Sequence, residues 1–177
     1  GYHEVFDASF TWEWMHKTED YYKQKADLNS LYNVLYKYEN DFPASAYRMY
    51  FTSNHDENSW NGTEYEKYGD MAKTLAVFSL TWKGIPMIYS GQEMPNLKRL
   101  AFFDKDTIDW DGRYALHDFY KTLLKLRKRN PALRSADPAA TTQIIATSDD
   151  KRIMAYLKRN KNDEVFATPW DFIIVDE

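Results

Sequence analysis

Three short segments rich in aromatic and apolar residues, Val5 to Trp12 (VFDASFTW), Arg48 to Ser53 (RMYFTS) and Ile85 to Tyr89 (IPMIY), read as strands. Stretches of helical spacing separate them. The first starts after Asp27, a good N-cap residue, carries Leu28, Leu31, Tyr32, Leu35 and Tyr38 on one face, and stops before Pro43. The second runs from about Tyr65 to Trp82, with Tyr68, Met71, Ala72, Leu75, Ala76 and Phe78 placed for burial, and ends at Gly84. A third, Tyr114 to Arg129, collects Lys and Arg in its last turn, where the helix dipole favours cations. Strand, helix, strand, helix, strand, helix is the order of a parallel α/β fold. The continuous apolar run IPMIY fits a strand buried on both faces of such a sheet.

Two of the strands run straight into polar residues: Asn54, His55, Asp56, Glu57 and Asn58 after the second, and Ser90, Gly91, Gln92 and Glu93 after the third. A plain turn needs one or two such residues, usually with Gly, and Gly is not met until Gly62. Parallel α/β barrels and doubly wound sheets both keep their chemistry at the carboxyl ends of the strands. A dinucleotide site would require a G-x-G-x-x-G turn and a nucleotide triphosphatase a P-loop, and the sequence contains neither. The barrel is therefore the better reading.

The chain has 177 residues, 44% of them hydrophobic, with a net charge of -4 and a pI near 5.6, so it can bury a core and has no basic footprint for nucleic acid. No apolar run approaches the roughly 18 residues of a membrane span. Cysteine is absent, which excludes disulfides, thiolate metal sites and a cysteine nucleophile. Beyond Pro138 the pattern changes to strand-like runs flanking the turn signal Ser148-Asp149-Asp150, with a further run from about Glu164 that Pro169 interrupts. An antiparallel appendage is expected there.

The segment FTSNHDENSW resembles the seventh-strand motif of the α-amylase family (glycoside hydrolase family 13), in which an aromatic residue leads into Asn-His-Asp. GIPMIYSGQE is similar to the family's eighth-strand segment, VFDASFTWEW to its sixth, and HDFYKTLLKLRKRNPAL to its last barrel helix. The four resemblances occur in the family's order. They imply an incomplete (β/α)8 TIM-type barrel, strands six to eight with their helices, over residues 1–137. Residues 138–177 would then open the family's C-terminal β domain.

The resemblance also implies roles. Members act on α-glucosidic bonds with retention, through an aspartate nucleophile, a glutamate acid/base and a second aspartate that stabilises the transition state. Asp56 matches that second aspartate and is the expected catalytic residue. His55 matches the histidine that hydrogen-bonds the sugar, and Asn54 and Trp60 are the further substrate-binding candidates. A fixed carboxylate favours an oxocarbenium-like transition state because positive charge develops there and not in the ground state. The nucleophile and acid/base have no match in this sequence, so the expectation is an incompetent isolated chain whose sheet is completed by preceding sequence or by another chain.

An α-glucan or malto-oligosaccharide is the expected substrate. A transglycosidase or isomerase of the same family, or a non-catalytic carbohydrate-binding relative, are the alternatives. Meeting a polymeric glucan implies an extracytoplasmic location. No cofactor is expected in this chain, and calcium is left open for the full-length protein. Asp104, Asp106, Asp109 and Asp111 lack the loop grammar of a calcium site, and His3, His16 and His117 lack metal-ligand spacing. Trp82 reads as core and Glu93 as structural.

Overall fold

The computed structural model describes residues 5–161, 163–168 and 172–176, so His3 and Pro169 lie outside the described residues. Three strands, β1 (Ala8–Phe10), β2 (Tyr47–Tyr50) and β3 (Ile85–Pro86), form a parallel sheet in that order. Ala8 lies opposite Tyr47, and Met49 opposite Ile85. Helices α1 (Trp12–Tyr22) and α2 (Leu28–Asn40) connect β1 to β2. A π-helical turn (Glu57–Asn61), α3 (Glu64–Tyr68) and α4 (Met71–Thr81) connect β2 to β3. Sequential strands are spatial neighbours with no reversal of order, as in a stretch of barrel and unlike the switch point of a doubly wound sheet.

After β3 come α5 (His117–Arg129), a 3-10 turn (Pro131–Leu133) and four strands: β4 (Thr141–Ile145), β5 (Ala155–Asn160), β6 (Asp163–Thr168) and β7 (Phe172–Asp176). These pair antiparallel in the order β4-β5-β6-β7.

Alternation along β2 decides which way the sheet faces. Arg48 and Tyr50 are buried, whereas Tyr47 and Met49 are half-buried on the opposite face. Tyr50 packs into a cluster with Trp14, Leu28, Val34, Phe78 and Trp82, so its face is the one that the helices cover. Phe78 is the centre of that cluster. Trp14 stacks on it at 4.3 Å and Trp82 at 5.0 Å. Tyr156 of β5 meets Trp82 edge-on at 4.8 Å, which makes the antiparallel sheet share this core with α1, α2 and α4. Emptying a site of this kind, as in Phe78→Ala, costs about 3–5 kcal/mol.

Asp27 caps α2 as its residue type suggests, its carboxylate accepting from the Ser30 amide at 2.9 Å. At the other end of the layer, Arg127 of α5 donates to the carbonyl of Leu80 in the buried last turn of α4 and to that of Gly84 beyond it. Gly84 has φ +150°, and a Cβ there would sit 2.4 Å from the Arg48 carbonyl, so only glycine lets the chain turn from α4 into β3 this close to β2.

Four expectations need correction. Trp12 begins α1 instead of ending a strand, because Trp14, Met15, Thr18 and Tyr21 fall at the helical spacing i, i+1, i+4 and i+7, which the strand-like composition of the preceding residues masks. The 65–82 helix is two helices: Gly69 adopts φ +50° and the Tyr22 hydroxyl occupies the space a Cβ would need, so the chain breaks there. IPMIY is half-buried at the edge of the described sheet, with β2 on one side and no further described strand on the other. Finally, α5 starts at His117 and not at Tyr114, which has φ +37°.

Candidate active site

At the carboxyl end of β2 the chain passes directly into a helical turn. Asn54 makes this possible: its Oδ1 accepts from the Glu57 amide at 2.8 Å and its carbonyl from the Asn58 amide at 2.9 Å. The turn lifts His55 and Asp56 to the surface, with side chains 68% and 43% exposed, and leaves His55 Nε2 3.6 Å from Asp56 Oδ1. An imidazole and a carboxylate thus stand side by side at the strand end, free to meet a ligand. Asn54 itself is buried, with Nδ2 left without a hydrogen-bond partner. Through Oδ1 the side chain holds the turn from within.

The π-helical turn that follows is fixed from below. Glu57 and Lys67, both buried, approach to 2.5 Å, Asn61 Nδ2 donates to Glu57 Oε1 at 2.9 Å, and Lys67 Nζ also lies 2.9 Å from the sulfur of Met15 on α1. Desolvated ions of this kind are costly unless fully partnered, and here each is. Helices of π type concentrate where a side chain must be re-aimed. Glu57 belongs to the polar run that the sequence marks, but its pairing with Lys67 left no pattern, since the two stand ten residues apart on different elements.

A second buried group joins the strand ends. Glu64 Oε2 accepts from Thr52 Oγ1 and Gln92 Nε2, both at 2.6 Å, and Gln92 Oε1 accepts from the Tyr89 amide. Burial pushes the Glu64 carboxyl up from its ordinary range against the pull of these hydrogen bonds. Thr52 follows β2 and Gln92 follows β3, so this network locks the two rims together. Glu93, beside it, is half-buried, and its carbonyl accepts from Leu116.

The loop after β3 bends back over the β2 rim. Asn58 holds it twice, donating to the Lys98 carbonyl at 3.2 Å and accepting from the Leu100 amide at 2.8 Å. Arg99 forks onto Glu66, with contacts of 2.9, 3.0 and 3.1 Å. The Arg99 hydrogen bonds bring the Glu66 carboxyl down to about 2. Lys98 pairs with Asp106, which also accepts from the amides of Ala101 and Thr107.

These ties bring Phe102 over His55, stacked at 5.9 Å, and set Phe102 and Phe103 at 5.3 and 6.0 Å from Trp60. Trp60 stands exposed at the rim beside His55 and Asp56. Phe102 and Phe103 were not marked from the sequence; their adjacency ahead of the polar run DKD was the available signal. Among the described residues no cluster of three or more His, Asp or Glu is arranged to hold a metal ion, and Asp106 is spent on its own loop.

A family model described as "Alpha amylase, catalytic domain" matches residues 2–113. The chain is 25% identical over 174 residues to a cyclomaltodextrinase of a Bacillus species, covering 93% of this chain and 30% of that protein. It is 27% identical over 135 residues to alpha-amylase 2 of Dictyoglomus thermophilum, covering 67% of this chain and 24% of that one. Among solved structures, a maltogenic α-amylase of Thermotoga neapolitana superposes with a TM-score of 0.78 at 20% identity, over 98% of this chain and 41% of its own. The chain therefore spans under a third of the curated relatives it matches, and its fold is part of the barrel fold of these enzymes.

Proposed function

Since the chain belongs to the α-amylase family, we propose that it supplies the sixth to eighth strands of a (β/α)8 glycoside hydrolase barrel that acts on α-glucosidic bonds with retention. The barrel part covers 1–137, and 138–177 begin the following β domain. Asp56 stabilises the cationic transition state, His55 orients the sugar hydroxyls beside it, and Trp60 contacts a sugar ring. Asn54 positions the turn that presents them.

One observation carries this reading: His55 and Asp56 stand exposed and adjacent at the carboxyl end of β2, on a turn fixed from beneath by a buried ion pair. The substrate is a starch-like glucan or malto-oligosaccharide. The names of the cyclomaltodextrinase and α-amylase relatives support that class.

Retaining chemistry needs a nucleophile and an acid/base about 5–5.5 Å apart across the scissile bond. Asp56 alone cannot serve as both. Those carboxylates come from strands four and five, supplied by preceding sequence or by a second chain that also completes the sheet. The test is an assay on starch and malto-oligosaccharides. The assembled barrel is expected to release maltodextrin products, and the 177-residue chain alone to release none. Turnover by the chain alone would refute the division of labour. Product analysis would separate hydrolysis from glycosyl transfer within the same site.

A further inference from the structure

We propose that Arg48 marks a binding site for a small oxyanion, a phosphate or carboxylate group, in a cleft at the amino-terminal end of β2 and β3. The cleft lies at the opposite strand ends from Asp56, so the site stands independently of the α-glucan reading.

A buried hydrogen-bonding edge carries the proposal. Arg48 is only 8% exposed. Its Nη1 donates to Ser9 Oγ, on the residue opposite it in β1, whereas Nε and Nη2 have no hydrogen-bond partner among the described residues. A charged donor in the interior is costly unless paired, and buried polar groups normally are. The two unpartnered nitrogens form one edge of the guanidinium plane. Arg99 uses that same edge, Nε with Nη2, to grip the Glu66 carboxylate at 2.9, 3.0 and 3.1 Å. Arg48 presents a second fork of the same kind.

The surroundings select the ligand. The guanidinium carbon lies 3.5 Å from the centre of the Phe42 ring and 5.1 Å from that of Tyr38. Stacking on rings leaves the edge for a ligand, which favours a group that accepts two coplanar N–H bonds. A cleft of about 50 Å³ is lined by Arg48 with Tyr38, Glu39, Phe42, Lys83 and Gly84. One water needs about 10–15 Å³, so the cleft takes a larger group. Lys83 and Glu39, both exposed, bring opposite charges to it and leave the Arg48 charge in excess. The surplus is felt beyond the cleft: burial pushes the Lys158 ammonium down to about 8, and Lys83 and Arg127 add to that against Glu39. Both fork nitrogens are shielded from solvent, so a ligand reaches them as the exposed Lys83 or the half-buried Phe42 side chain shifts.

Full-length protein with the complete barrel is titrated with sodium phosphate and, separately, with sodium acetate, at an ionic strength held constant with sodium chloride. Tm is followed for wild type, Arg48→Lys and Lys83→Met, and phosphorus NMR line broadening reads phosphate binding directly on each folded variant. In the wild type, phosphate or acetate should raise Tm saturably by about 2 °C or more. Arg48→Lys keeps the charge but loses the fork, and should abolish both the shift and the broadening. Lys83→Met, at an exposed position, should keep its Tm and need severalfold more anion for the same shift. Turnover of maltoheptaose should be unchanged in both variants. A response to phosphate alone would support a phosphate group as the ligand, and a response to both anions would show that a carboxylate suffices. No response in the wild type, or an equal one in Arg48→Lys, would overturn the site. A silent wild type with a lowered Tm in Arg48→Lys would assign the fork instead to a carboxylate side chain of the completing barrel.

Discussion

Lys67 reaches Glu57 at 2.5 Å in the interior of the protein, and on the other side of the same turn His55 and Asp56 emerge into solvent. The exposed pair is held in place by the buried one. Two residues of separation put Glu57 beneath the rim and His55 above it, so the ion pair fixes the height and direction of the candidate catalytic carboxylate.

Removing one partner should therefore unfold the rim. Lys67→Met leaves Glu57 as an unpaired buried carboxylate, and a loss of about 3–5 kcal/mol in chemical denaturation is expected. Lys67→Met combined with Glu57→Leu removes both charges and should recover much of that loss. Additive destabilisation in the double variant would show that the pair is not coupled.

Asp56→Asn tests the chemistry without the fold. The side chain is 43% exposed, with His55 Nε2 3.6 Å from its Oδ1, and the amide isostere keeps its size and shape. In the assembled barrel kcat should fall by at least about a hundredfold, while Tm stays within error of the wild type. Near-normal kcat would reject the assigned role.

The Glu66–Arg99 fork should release its loop in acid. The Glu66 carboxyl lies at about 2 in the folded protein against an ordinary 4.5. A carboxylate shifted downward contributes its full effect above its unfolded value and loses it as pH falls through the folded one. The tie should thus hold from neutral pH to about 4.5 and weaken towards 2. Hydrogen exchange at the Leu100 amide, which donates to Asn58, should show added opening below pH 4.5, and Arg99→Ala should show that opening already at pH 7. An exchange rate that follows intrinsic chemistry alone across this range would argue against the tie.

Lys158 points the other way. Burial, with Lys83 adding repulsion, pushes its ammonium down to about 8 from 10.5. A lysine lowered by folding binds fewer protons in the native state, so its contribution raises stability as pH climbs from 8 to 10.5 and is unfavourable below that window. That gap corresponds to about 3 kcal/mol as an upper figure. Lys158→Met should flatten this segment of the stability–pH curve and be neutral to stabilising at pH 7. A clear loss of stability at pH 7 would mean that its hydrogen bond to Thr142 outweighs the desolvation.

Much of the architecture was legible because periodicity is local. Asp27 caps α2, Trp82 lies in the core, and the strand-like runs after Pro138 pair antiparallel. The His55–Asp56 pair was legible too, because the strand and its polar end are contiguous in the chain. Less legible was whatever depends on a neighbour far away in sequence. Tyr22 seated over Gly69 splits one expected helix into two, and Ile85 to Tyr89 are half-buried because β3 has only β2 beside it among the described strands.

The sequence by itself determined the order of strands and helices, the polar ends of two strands and the identity of the carboxylate and imidazole there. Hydrophobic spacing and turn chemistry act over a few residues, so one dimension is enough to read them. Tertiary structure alone decided that Asn54 holds the turn from inside, that Lys67 underpins it, and that Phe102 comes to lie over His55. Those relations arise from burial and loop closure across tens of residues, and their energies exist only once the chain has packed.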